Sequence, residues 1–190
     1  MRKIISPEKQ KSKERFNQLI VGLVLIFLMM LSVLGYSLNS KDEEEISKKI
    51  LYNGYEFNEV NGFWVLNAGQ FKFIFNYNPE EVSKSYSNLS YIDTYYDKPL
   101  YFYSENSEAT SEIYVNLNQF VQRFQPACLN DSNCTGNYPV KDCSSNFIII
   151  KIDNSSSIEQ NQSCVFIQGP EEEIVKLTDE FLFKITGIEG

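Results

Sequence analysis

Residues 19–38 read LIVGLVLIFLMMLSVLGYSL, twenty positions without a charge and apolar on every helical face. At about 1.5 Å per residue such a helix is roughly 30 Å long, the thickness of a bilayer's hydrocarbon core. Buried soluble helices seldom run this far without a polar face, so the pattern predicts a single transmembrane helix and a lipid bilayer as its partner. Ser32 and Ser37 are tolerated because a hydroxyl bonds a carbonyl one turn back, and Tyr36 sits at the interface end. The flanks orient it. Arg2, Lys3, Lys9, Lys11, Lys13 and Arg15 precede the segment against Glu8 and Glu14, whereas Lys41 is followed by Asp42, Glu43, Glu44 and Glu45. Basic flanks stay in the cytoplasm, so residues 1–18 are expected as a cytoplasmic leader and the carboxy-terminal part as extracytoplasmic. The long apolar stretch, with no A-x-A-like site after it, predicts an uncleaved anchor.

Beyond the anchor the periodicity changes. Residues 39–50 read as a charged linker with helical character. Residues 55–60, Asn61-Gly62 and residues 63–67 then spell strand, two-residue turn, strand, because Asn-Gly supplies the positive φ angles of a type I′ turn. After Ala68-Gly69, Phe71, Phe73 and Phe75 alternate with Lys72, Ile74 and Asn76, completing a three-stranded meander with an aromatic face. Asn78-Pro79-Glu80-Glu81 has the chemistry of a short helix start. A strand is expected at 100–103. Ile113, Leu117, Phe120, Val121 and Phe124 recur at three- and four-residue steps, predicting a helix over 109–124 that ends at Gln125-Pro126.

FIIIKI (147–152) and CVFI (164–167) are short continuous apolar runs suited to strands buried on both faces. About eleven residues link them, short for a crossover helix, so an antiparallel arrangement is expected. Gly169-Pro170-Glu171-Glu172-Glu173 opens a last helix with the stripe Ile174, Leu177, Phe181 and Ile185, stopped by Gly187. The fold class expected is α+β, a mixed α/β domain over 51–190 with an antiparallel-rich sheet and two amphipathic helices.

Composition then removes whole classes of function. The chain has no histidine, which excludes Ser-His-Asp and Cys-His nucleophiles, histidine zinc sites and imidazole acid/base work. Net charge is −8, and the residues after 38 carry 11 basic against 23 acidic side chains, which argues against nucleic acid as a partner. All four cysteines, Cys128, Cys134, Cys143 and Cys164, lie beyond the anchor within 37 residues and predict two disulfides in an oxidising compartment.

Four cysteines permit three pairings. We favour Cys128–Cys134, where a polar tract turns back within a few residues, with Cys143–Cys164, which needs an intervening strand near Ile158. Four thiolates on zinc are the competing reading, although no C-x-x-C knuckle is present. Five N-x-[S/T] sequons, at Asn88, Asn130, Asn133, Asn154 and Asn161, also fall on the outer side.

Several segments carry a resemblance. The basic start and anchor ending Ser32-Val33-Leu34-Gly35-Tyr36 is joined by the hairpin Tyr52-Asn53-Gly54-Tyr55-Glu56-Phe57 with Asn61-Gly62-Phe63-Trp64. Pro139-Val140-Lys141-Asp142-Cys143, Cys164-Val165-Phe166-Ile167-Gln168-Gly169 and Thr178-Asp179-Glu180-Phe181-Leu182-Phe183-Lys184-Ile185-Thr186-Gly187-Ile188 follow. Together they resemble an uncharacterised family of small archaeal single-pass membrane proteins with an extracytoplasmic domain. The resemblance implies an anchor and an outer domain, and brings no activity, cofactor or catalytic residue.

Two functional readings follow. Tyr86, Tyr91, Tyr95, Tyr96, Tyr101 and Tyr103 crowd eighteen residues among Ser, Asn and Asp, a recognition composition that gives large contacts at low entropy cost. This points to a binding or scaffolding domain at the cell envelope whose partner is an envelope protein or a glycan, with no cofactor. The alternative is an envelope hydrolase using carboxylates, for which Asp93 and Asp97 near Glu105 and Glu108 are the candidate groups. Asn130-Asp131-Ser132-Asn133 offers oxygens to calcium but lacks the D-x-D-x-D-G pattern. A cleft holding two carboxylates with shifted pKa would favour the enzyme; an exposed tyrosine surface without one favours binding.

Overall fold

A computed structural model describes residues 7–39, 46–129 and 137–188, with side chains described over 16–32, 48–129 and 137–188. Pro7 opens helix α1 (Pro7–Asn39), where its missing N–H leaves no helical bond unmade. Every large apolar side chain described on α1 is exposed, Leu19 and Met29 at 71% each. Among the described residues no helix is long and apolar enough to cross a membrane; the side chains described on α1 cover 14 of the 20 positions of the 19–38 segment. Residues 1–44 form one compact unit and residues 45–190 a second.

Two Asn-Gly turns build the first sheet of the second unit. Asn53 and Gly54 take φ 47° and 85°, Asn61 and Gly62 take 53° and 83°, the paired left-handed geometry of tight hairpins. They join β1 (Ile46–Tyr52), β2 (Tyr55–Val60) and β3 (Phe63–Ala68), and β4 (Phe71–Phe75) follows. The sheet is antiparallel with order β1-β2-β3-β4. The meander therefore has four strands, and the second half of the stretch expected as a linker is strand β1. A register shift between Ile46 and Lys48 breaks its alternation, which hid it from a period-two reading. At Asn78 the cap chemistry forms: Glu81 accepts from the Asn78 N–H at 2.9 Å, and Asn78 Oδ1 accepts from the Glu80 N–H at 2.8 Å. Only a turn follows, not the expected helix.

The second sheet contains β5 (Pro99–Ser104), β6 (Arg123–Pro126), β9 (Phe147–Ile152), β10 (Ser157–Asn161) and β11 (Cys164–Gly169), in the order β10-β11-β9-β5-β6. Helix α2 (Ser107–Leu117) connects β5 to β6, and the short strands β7 (Cys128–Leu129) and β8 (Val140–Lys141) lie between β6 and β9. The antiparallel character expected of the domain holds for the first sheet and for β10–β11. Strands β6, β5, β9 and β11 run parallel. The expectation that 147–152 and 164–167 run antiparallel is thus corrected. β10 carries the chain back along the sheet edge, so eleven residues suffice for a parallel return without a helix.

The same correction settles the cysteine geometry. With Cys164 opposite Phe147, Cys143 reaches it at a Cα separation of 4.9 Å and the two form a disulfide. That bond consumes two of the four thiols and removes the four-thiolate zinc reading; it also marks an oxidising, extracytoplasmic setting. Cys128 is disulfide-bonded as well, and Cys134 lies outside the described residues, as do Asn130, Asp131, Ser132 and Asn133. The Cys143–Cys164 bridge spans 21 residues of sequence and is expected to stabilise the fold by about 3 kcal/mol, mainly by constraining the unfolded chain. A Cys143→Ala/Cys164→Ala variant should show this as a lowered urea midpoint with a steeper slope, because the freed unfolded chain exposes more surface.

Helix α2 is shorter than its apolar stripe. Asn106 caps it, accepting from the Ala109 N–H at 2.8 Å, and it ends at Leu117 rather than at Gln125. Phe120 and Val121 continue the buried face from a turn, and Phe124 does so from edge strand β6. Helix α3 (Ile174–Ile185) ends in a Schellman motif: the Ile188 N–H reaches Phe183 O at 3.0 Å and the Gly187 N–H reaches Lys184 O at 3.1 Å, with Gly187 at φ 73°.

Packing places α3 between the sheets. Phe183 meets Phe57 and Phe75 of the first sheet at ring separations of 6.0 and 4.5 Å. On the other side α3 rests on β11 so closely that a Cβ at Gly169 would stand 2.4 Å from Leu177 Cδ1. The far face of the second sheet holds its own cluster, Tyr101, Ala127, Phe147, Ile149 and Cys164.

The open edge of β4 is closed by side chains rather than by another strand. Asn116 Oδ1 accepts from the Ile74 N–H at 2.8 Å, and its Nδ2 donates to Ile74 O at 2.7 Å. Gln119 donates to Lys72 O at 3.0 Å, and Glu112 accepts from the Asn76 N–H at 3.0 Å. Four residues of helix rise about 6 Å and two residues of strand about 6.8 Å, so polar groups near every helical turn can track alternate strand residues. Asn116→Ala is expected to cost about 2 kcal/mol, because two backbone groups lose their partners in a buried place, read by chemical denaturation.

Candidate functional site

Residues 84–91 form a strap without helix or strand that is pinned to the domain at two points. At the first, Glu180 on α3, fully buried, accepts from the Ser85 N–H at 2.7 Å and the Ser85 hydroxyl at 2.5 Å. Lys184, one turn along, donates to Glu180 at 2.8 Å, to Ser85 Oγ at 2.9 Å and to Ser87 Oγ at 3.0 Å. At the second, Gln160 of β10 accepts from the Ser90 N–H at 2.7 Å and donates to Ser90 Oγ at 2.9 Å. Between the pins Tyr86 projects fully into solvent, and Tyr91 beyond them is 67% exposed.

This strap borders one cleft, and the residues that continue it, 92–96, border a second. One, of about 940 Å³, lies between the strap, the β1–β2 turn at Tyr52 and Asn53, and Lys184. Its lining is hydroxyl, amide, phenol and the ammoniums of Lys84 and Lys184, with the apolar Leu89, and includes no carboxylate. The other, of about 270 Å³, is apolar: Phe71, Phe73, Phe120 and Ile188 line it, with Asp93 and Tyr96 at residues 92–96. Asn53 donates to Ile188 O at 3.0 Å, tying the hairpin turn of the first cleft to a wall of the second.

The six tyrosines singled out in sequence do not form one surface. Tyr86, Tyr91 and Tyr96 are exposed along the strap and its continuation. Tyr95 is buried, and burial pushes its phenol upward. Tyr101 is buried in the far-face cluster of the second sheet; burial raises its phenol, but hydrogen bonds and charge from Arg123 and Lys141 outweigh this and hold it below the usual value. Tyr103 packs against the same cluster; burial and then Glu105 raise its phenol.

The acidic candidates are also separated. Asp93 and Asp97 precede β5, whereas Glu105 and Glu108 follow it. Six strand residues span about 20 Å, twice or more the separation of a glycosidase pair. Glu105 instead accepts from the Ile152 N–H at 2.9 Å. Asn88, Asn154 and Asn161 are exposed; Asn130 and Asn133 fall outside the described residues. Among the described residues no group of three or more His, Cys, Asp or Glu could hold a metal ion.

A carboxyl pair that the sequence reading missed is Glu112 with Asp179. Asp179 is fully buried and Glu112 is 6% exposed. Burial raises both, most strongly Asp179, and each carboxyl acts on the other, which favours the pair holding one proton between them. Asp179 Oδ2 accepts from the Tyr77 N–H at 2.8 Å, and Glu112 Oε2 accepts from Asn76 Nδ2 at 2.7 Å. The pair lines neither cleft and holds the end of β4. A signal existed at Asp179, an acid among the apolar residues Val175, Leu182 and Phe183 of α3; Glu112 shares a polar row with Asn116 and gave none.

No family model, curated protein or solved structure matches the chain.

Proposed function

We propose that this chain is a membrane-anchored binding or scaffolding domain of the cell envelope, held by residues 19–38 with its amino terminus in the cytoplasm and residues 45–190 outside. The observation that carries the binding reading is the pinned strap, which presents Tyr86 and Tyr91 beside a carboxylate-free cleft, while the two carboxylates that burial raises, Glu112 and Asp179, line neither cleft. An envelope hydrolase would need its acid/base pair in a cleft. The anchor is supported by the uncharged 19–38 segment, by the exposed apolar side chains of α1, and by the disulfide chemistry of the second unit.

Protease added to intact cells should remove the domain after Lys41 and spare an amino-terminal tag; protection of the domain would overturn the topology. For binding, a photo-crosslinker at position 91 of the full chain in its own membrane should give a discrete adduct. The same group at position 154 should not. Equal adducts from both positions, or none, would count against a binding role for this end of the domain.

A further inference from the structure

Resting on that reading, we propose that the cleft between the strap and the β1–β2 turn is a binding site for an uncharged glycan of about trisaccharide size.

Three observations carry it. The first is the chemistry of the lining. In a chain with 25 acidic residues, a cleft of about 940 Å³ without a carboxylate excludes cations and basic peptides as its natural occupants. Of its two ammoniums, Lys184 is matched by Glu180 at 2.8 Å and Lys84 lies over the Tyr52 ring at 5.5 Å, so neither is held out alone toward an anion. Apart from Leu89, what remains are hydroxyls, amides and phenols from Ser85, Ser87, Asn53, Asn88 and the tyrosines, groups that both donate and accept, as a polyhydroxylated ligand requires.

The second is the exposure of Tyr86 and Tyr91 on the borders of that cleft. A sugar ring has one face of C–H groups, weakly positive, and it stacks on the negative face of an aromatic ring. Such a platform leaves the equatorial hydroxyls free to reach the amides and hydroxyls around it.

The third is preorganisation. Exposed tyrosines on a loose loop would lose much of their binding energy to ordering. Here the strap is fixed by Glu180, a fully buried carboxylate whose Oε2 has no hydrogen-bond partner. Burying a charge that is incompletely paired destabilises a fold, and its visible effect here is to hold a surface segment in one conformation. The cleft volume lies at the upper end of the range for small-molecule sites and suits about three sugar rings.

The test uses the full chain made without N-linked glycosylation, so that Asn88 carries no sugar of its own, in phosphocholine micelles free of sugar headgroups. Maltotriose, cellotriose, mannotriose and chitotriose are titrated by saturation-transfer NMR. At least one should bind, with saturation transferred from tyrosine rings. Tyr86→Ala or Tyr91→Ala should weaken it by about tenfold or more, while Tyr96→Ala, beside the apolar cleft, should change it by less than about twofold. Near-UV circular dichroism confirms that each variant is folded. If none of the four binds at about 10 mM, or binding is unchanged in both strap variants, the glycan assignment is wrong. The crosslinking result at position 91 stands independently of that outcome, so a protein-binding strap would still be recognised.

Discussion

Phe183→Ala is expected to destabilise the domain by about 3–5 kcal/mol and to lower its melting temperature by about 10 °C or more. Phe183 is fully buried and joins three elements, α3 through its own backbone, β2 through Phe57 and β4 through Phe75. The first sheet cannot close on the hole, because its register is set by two tight hairpin turns. The comparison with Phe181→Ala is informative. Phe181 lies on the apolar stripe visible in sequence and Phe183 does not, yet both are fully buried. Equal losses in thermal or urea denaturation would show that α3 is covered on both sides. A near-wild-type melt for Phe183→Ala would place that side of the helix against solvent.

The Glu112–Asp179 pair should make stability fall as pH rises. A carboxyl whose folded pKa is raised contributes stability that is fully present below its unfolded value of about 4 and is lost as pH climbs through the folded value. The folded pair holds a proton that the unfolded chain gives up, so the slope is at most about 1.4 kcal/mol per pH unit for one proton. Burial is the main cause for both groups, and Glu108 on the exposed side of α2 adds to it at Glu112.

Asp179→Asn supplies the donor without a proton: its amide can donate to the Glu112 carboxylate while its oxygen accepts from the Tyr77 N–H. The variant should therefore flatten the decline above pH 4 and be at least as stable as wild type at pH 8. Glu112→Ala should instead cost about 3 kcal/mol or more at every pH, because it leaves the Asn76 N–H and Nδ2 without their acceptor and takes the neighbouring carboxyl from Asp179, which keeps the Tyr77 N–H. Urea titrations at several pH values distinguish these cases. A wild-type slope persisting in Asp179→Asn would mean that the pair does not share a proton.

Local chemistry was legible wherever one or two residues dictate a backbone angle or a face. Asn61-Gly62 set a hairpin, Gly187 stopped a helix, and FIIIKI formed a strand covered on both faces, Ile148 and Ile150 inward and Phe147 and Ile149 outward. Errors arose where a pattern reports burial without reporting backbone. The stripe through Phe124 was real, but its last residues face the core from a turn and an edge strand. The cap at Asn78 formed its hydrogen bonds without a helix behind it. β1 was hidden because a bulge interrupts its alternation.

The sequence by itself determined the local turns, the strand cores, the carboxy-terminal helix and the absence of imidazole chemistry; it favoured Cys143–Cys164 among three pairings, and the register of β11 against β9 decided it. The first four follow from steric limits on φ, from side-chain periodicity and from which functional groups exist, all properties of short stretches. Only the tertiary structure decided that β9 and β11 run parallel, that Glu112 and Asp179 meet across two helices 67 residues apart, and that Tyr86 and Tyr91 border a cleft while Tyr95 and Tyr101 are buried. Each of these depends on residues far apart in sequence competing for the same volume and the same hydrogen-bond partners. That competition is resolved when the two sheets close on α3, and no local pattern records its outcome.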